Sequence, residues 1–91
     1  MTGWTVELRP AARKYRELDE GPKRDAAELL ADLEEDPTLV PAIELRANPG
    51  TWRVRFHHDR YRMIYRVARA QKRIIVTRIH PRPTAYEGMR R

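Results

Sequence analysis

Between Trp52 and His80 the chain carries three runs of strand character separated by gaps of only a few residues. This spacing constrains the fold more than any other feature. A parallel crossover needs a dozen or more residues, so strands this close in sequence must pair antiparallel, as a meander. Trp52-Arg53-Val54-Arg55-Phe56-His57 alternates strictly. A period of two places Trp52, Val54 and Phe56 on a buried face and Arg53, Arg55 and His57 on an exposed one. His58-Asp59-Arg60 reads as a turn, and Tyr61 to Ala68 as a second strand with apolar residues on both faces. Arg69-Ala70-Gln71-Lys72 is the next turn. Arg73 to His80, with Ile74, Ile75, Val76 and Ile79, has the β-branched content of a central strand. Pro81 and Pro83 end it, and the tail from Thr84 is expected to form a short helix holding Tyr86 and Met89.

Upstream, Trp4 to Arg9 alternates as well, with Trp4, Val6 and Leu8 on the inward face. Pro10 stops that strand and suits a helix start. Ala11, Ala12, Tyr15 and Leu18 form one helical stripe. Gly21-Pro22 breaks this helix and opens a second, in which Ala26, Leu29, Leu30 and Leu33 follow the amphipathic spacing. Asp36-Pro37 ends it. Residues 37–50, with three prolines and Gly50, read as a connection with a short helical turn around Ala42–Leu45. The expected order is β-α-α-β-β-β, an α+β fold in which a helical hairpin covers one face of an antiparallel sheet. The whole chain, residues 1–91, reads as a single domain.

Charge divides along the same boundary. Residues 1–49 hold 7 basic and 11 acidic residues, a net of −4; residues 50–91 hold 12 and 2, a net of +10. Sixteen of the 19 basic residues are arginine, whose planar fork suits bidentate phosphate contact. The helix-free sheet face is therefore expected to meet an anionic partner. There is no cysteine, which excludes disulfides and thiolate metal sites. The three histidines lack ligand spacing and the four glycines form no phosphate loop, so no cofactor or metal is expected. No apolar run reaches the roughly 20 residues that span a bilayer, and the N-terminal segment has no signal-peptide core. A cytoplasmic protein with no membrane partner is predicted.

The succession Trp52-Arg53-Val54-Arg55-Phe56, Tyr61-Arg62-Met63-Ile64-Tyr65, Arg78-Ile79-His80-Pro81-Arg82 and then Tyr86 resembles the RelE/ParE superfamily, the toxins of type II toxin–antitoxin pairs. The resemblance implies the layout derived above. Its RelE-like branch, favoured here, implies an endoribonuclease that cuts messenger RNA on the ribosome and inhibits translation. The alternatives are a ParE-like poison of DNA gyrase and an inactive relative that only binds its antitoxin. The implied partners are a small cognate antitoxin, mRNA and the ribosome. The resemblance carries Arg53 and Arg55 onto two basic positions that are often lysine. Arg62 falls on the arginine after the strand tyrosine, Arg82 on the basic residue after the last strand, Tyr86 on the tail tyrosine, and His80 on a histidine that some relatives use as acid or base. His57, Arg60 and Arg78 are candidate RNA contacts.

Metal-independent RNA cleavage uses the 2′-OH as nucleophile. It needs a base for that hydroxyl, cations for the charge on the phosphoryl oxygens, and an acid for the leaving 5′-oxygen. Arg53, Arg55, Arg62 and Arg82 supply cations. Arginine, with a pKa above about 12, is a poor base, whereas histidine at about 6.5 is matched to the task. His80 is therefore ranked first as base or acid, with Tyr86 as its partner or as a platform for base stacking.

Overall fold

A computed structural model describes residues 3–82. Its elements are β1 (Thr5–Leu8), α1 (Pro10–Arg13), a 3-10 turn over Lys14–Glu17, α2 (Glu20–Glu35), a 3-10 turn over Pro37–Leu39, β2 (Ile43–Glu44), β3 (Thr51–Phe56), β4 (Tyr61–Ala68), a 3-10 turn over Arg69–Gln71, and β5 (Arg73–Pro81). The five strands make one sheet in the order β1-β5-β4-β3-β2. The α+β class and the β3-β4-β5 meander are as the sequence implies.

The sequence implies a wholly antiparallel sheet, but the sheet is mixed. β1 pairs parallel with β5, from Thr5 against Arg73 to Leu8 against Val76. The physical reason lies in β5, whose Ile74–Val76 half would otherwise be an open apolar edge. The long excursion from residue 9 to 72 supplies the crossover that a parallel pair requires. The segment around Ala42–Leu45 is likewise a strand rather than a helical turn: Ile43 faces Arg53 and Glu44 faces Trp52 across an antiparallel ladder. Pro41 and Pro49 flank it, and prolines favour extended edge structure over helix.

The first helix is shorter than its stripe suggests. One α-turn gives way to the 3-10 turn, and Leu18 is extended. α2 begins at Glu20, ahead of the expected Gly21-Pro22 start, because Pro22 is tolerated in a first turn whose N–H groups have no partner in the helix. Asp36 ends it and caps the following turn, accepting from Thr38 N at 3.0 Å and Thr38 Oγ1 at 2.8 Å. These two bonds hold the Asp36 carboxyl below its usual pKa.

The core lies between α2 and one sheet face. Ala12, Ala26 and Leu33 from the helices pack with Val54, Phe56, Met63, Tyr65, Ile74, Val76 and Ile79. Burial pushes the Tyr65 phenol up to about 12. Of these strand residues, Ile74 and Val76 are even-numbered but Ile79 is odd. A β-bulge between Ile64 and Tyr65 of β4 explains the switch, because Tyr65 faces Val76 while Ile64 faces Arg78, which leaves Thr77 as the extra residue. Thr77 Oγ1 donates to the Ile64 carbonyl at 3.2 Å and fixes the bulge. One extra residue reverses the facing of everything beyond it. If the same sequence alternated strictly, with no bulge to absorb Thr77, Arg78 and His80 would share the buried parity of Ile74 and Val76.

Candidate functional site

Cross-strand partners share a sheet face, so the register defines the face opposite α2. Arg55, Arg62 and His80 form one row across β3, β4 and β5; Arg53, Ile64 and Arg78 form the adjacent row. The expected placement of Arg53 and Arg55 on the exposed face holds, and the bulge brings Arg78 and His80 onto it. Arg66 lies on the same face, opposite Thr51 and Ile75. The sequence reading missed it, although counting by two from Arg62 reaches it. Toward β1 the patch ends at Glu7, which pairs with Arg73 and, at 3.1 Å, with Arg9.

The patch is electrostatically unbalanced. Among the described residues, no ion pair includes Arg53, Arg55, Arg62 or Arg78. Among the described residues, the buried side-chain nitrogens without a hydrogen-bond partner are Arg53 Nε, Arg62 Nε and His80 Nε2, all on this patch. A buried polar group left unmade costs about 1–3 kcal/mol; the two arginine N–H donors mark a surface built for an acceptor, and the histidine nitrogen beside them can meet a proton donor. Burial first, and then the charges of Arg55, Arg62 and Arg82, lower the Arg53 pKa. His80 is also held below the ordinary 6.5, by burial first and then by Arg62 and Arg78, against an opposing hydrogen bond with the Pro81 backbone. His80 is thus a neutral imidazole at pH 7, able to take a proton.

Arg82 joins the patch from the end of β5. Its N–H donates to the Arg60 carbonyl at 2.9 Å and its Nη1 to the Asp59 carbonyl at 3.0 Å. The β3–β4 turn that holds it is unusual: His57, His58 and Asp59 have φ values of 53°, 59° and 64°. Consecutive left-handed residues other than glycine are strained by roughly 1–2 kcal/mol each.

His57 departs from the expected exposed face. The turn carries its ring round to the helix side, where Nδ1 meets Asp25 Oδ2 of α2 at 2.9 Å. Arg60 is exposed in the turn itself. Tyr86 and the tail helix lie outside the described residues. Arg13, Lys14 and Arg16, the basic residues of the first helical segment, are exposed. On the helix side, Val6, Leu8, Tyr15, Leu30 and Glu34 line a largely apolar cleft of about 280 Å³ between β1 and α2.

No family model and no curated protein sequence matches the chain. Solved structures do. The isolated RelE toxin of E. coli superposes with a TM-score of 0.74 over 94% of each chain at 18% identity. The chain is RelE-like. A chain of the RelBE2 toxin–antitoxin complex of Mycobacterium tuberculosis aligns with a TM-score of 0.72 at 25% identity, covering 88% of this chain and 99% of that one. The archaeal RelE–RelB complex of Pyrococcus horikoshii gives 0.73 at 24% identity, covering 88% and 96%. Among the described residues, no helix is long and apolar enough to cross a membrane.

Proposed function

We propose that this RelE-like chain is the toxin of a type II toxin–antitoxin pair and acts as an endoribonuclease on ribosome-bound mRNA, inhibiting translation in the cytoplasm. One observation carries the reading: three unpartnered buried nitrogens, from Arg53, Arg62 and His80, sit on adjacent strands of one arginine-rich face. A backbone phosphate supplies the acceptor and the charge this surface lacks.

In this reading Arg53, Arg55, Arg62 and Arg82 hold the scissile phosphate and stabilise the charge that grows on its equatorial oxygens. Neutral His80 takes the 2′-OH proton as that oxygen attacks phosphorus and the bond to the 5′-oxygen breaks. Tyr86 donates the proton to the departing 5′-oxygen; if Tyr86 instead stacks on a base, water supplies that proton. The guanidinium groups do the electrostatic work for which other nucleases recruit a metal, so cleavage proceeds in a chelator. Arg78, Arg60 and Arg66 extend the track for neighbouring phosphates.

Related toxins have been solved with antitoxins, and we extend that partnership to this chain. A small antitoxin would cover the basic face and fill the apolar cleft between β1 and α2. Primer extension on mRNA after brief induction tests the reading. Discrete cuts that vanish in an Arg62→Ala, His80→Ala variant are expected, and any cleavage of free RNA by the purified protein should persist in EDTA. Intact mRNA with double-strand DNA breaks would instead identify a gyrase poison.

A further inference from the structure

We infer that Asp25 and His57 form a clasp that positions Arg82, so that a residue on the helix side of the sheet sets the geometry of the phosphate patch on the other. The inference rests on the ribonuclease reading for its effect on activity, but its structural part stands alone.

The connection is continuous. Asp25 Oδ2 accepts from His57 Nδ1 at 2.9 Å, with the two side chains 40% and 24% exposed, so the bond is only partly screened. The His57 ring is also edge-on to Tyr61, with centroids 5.9 Å apart. Its seat is made by Gly21, one helical turn before Asp25: a Cβ there would lie 2.8 Å from the ring's Cε1. Gly21 thus leaves room for this ring. The anchored His57 opens the left-handed run through Asp59. His57 O accepts Arg60 N at 3.1 Å, Arg60 O accepts Arg82 N at 2.9 Å, and Asp59 O accepts Arg82 Nη1 at 3.0 Å. A backbone run this strained persists only when its surroundings over-determine it. The tie to α2 supplies that constraint from one side and Arg82 from the other. Asp25, Gly21 and His57 are positioning residues; of these four residues only Arg82 meets the phosphate.

The test is amide hydrogen exchange together with RNA cleavage on the full chain. In Asp25→Ala the Arg82 amide should exchange about tenfold faster, as expected for loss of one charge-assisted bond, with the Met63 and Ile79 amides unchanged. Gly21→Ala, which removes neither partner but displaces the ring, should do the same. Asp25→Asn keeps an acceptor oxygen and should stay within about twofold of wild type. In cleavage, Asp25→Ala should lose roughly three- to tenfold, and adding it to Arg82→Ala should lose nothing further. An unchanged Arg82 amide in both Asp25→Ala and Gly21→Ala overturns the clasp, as does full additivity with Arg82→Ala. If wild type cuts no RNA, the ribonuclease reading fails while the exchange arm still decides the clasp.

Discussion

Replacing Arg53 by methionine should make the free protein more stable while weakening its grip on RNA. Arg53 is held among like charges with its Nε buried and unpartnered. Arg55, two residues along the same strand, is about 6.6 Å away at a rise of about 3.3 Å per residue. Arg62, diagonal across the ladder, is about 7–8 Å away. Two unit charges at about 7 Å repel by about 0.6 kcal/mol at the dielectric of water. With Arg82 as a third neighbour, the repulsion at low salt comes to about 1–2 kcal/mol, and a Debye length of about 8 Å at physiological ionic strength roughly halves it. Methionine keeps an unbranched stem for packing and removes the charge and the stranded donor. The expected gain is about 1 kcal/mol, or a rise in Tm of about 5 °C for a domain of this size. Thermal unfolding followed by circular dichroism at low salt and in 1 M NaCl reads it, and most of the gain should disappear in high salt. A lower Tm for Arg53→Met at low salt, or a gain indifferent to salt, would refute the electrostatic account of the patch.

Three further outcomes follow from the same structure. His80 is held below 6.5, so as a base it stays neutral to lower pH, and the acid limb of kcat/KM should lie below pH 6.5; Arg78→Gln removes one of the lowering charges and should move that limb upward. The same sign applies to stability: the contribution of His80 is present above pH 6.5 and fades as pH falls, so His80→Gln should flatten the acid side of a stability–pH curve. Leu33→Ala, at a side chain with no exposure, should cost about 2–5 kcal/mol by urea denaturation, and a loss under 1 kcal/mol would mean that α2 does not depend on this contact. Thr77→Val should cost about 1 kcal/mol by removing the bond to the Ile64 carbonyl, whereas deleting Thr77 should leave the fold intact, since Val76 and Arg78 would then oppose Tyr65 and Ile64 in a regular ladder with Arg78 and His80 still on the patch face; a deletion variant without native circular dichroism would disprove the parity argument.

Much of this arrangement was legible in the sequence because period two is an unambiguous signal where one face is dry. Trp52 to Phe56 announced both the core residues and the exposed arginines. The same rule failed at His57, where strand geometry had already ended: left-handed backbone at three residues that include no glycine gives no local cue, and the partner, Asp25, is 32 residues away. Ile43–Glu44 escaped because two residues carry no period, and its identity as a strand comes from β3. The parallel seat of β1 was hidden for a related reason: nothing in four alternating residues says which edge of a distant meander they join. The bulge is intermediate. Ile74, Val76 and Ile79 break parity in plain view, but only the register says that Thr77 absorbs the break.

The pairing of β1 with β5 also governs the order of assembly. Thr5 lies against Arg73, so β1, made before the other described strands, has no neighbour until β5, the last of them, emerges. The meander and α2 can form around their local contacts, but the apolar edge of Ile74–Val76 remains open until the two ends meet. Closing such a long loop is slow compared with hairpin formation. For that interval the nascent molecule shows an unpaired sheet edge, the surface on which a strand from another chain or a chaperone would act.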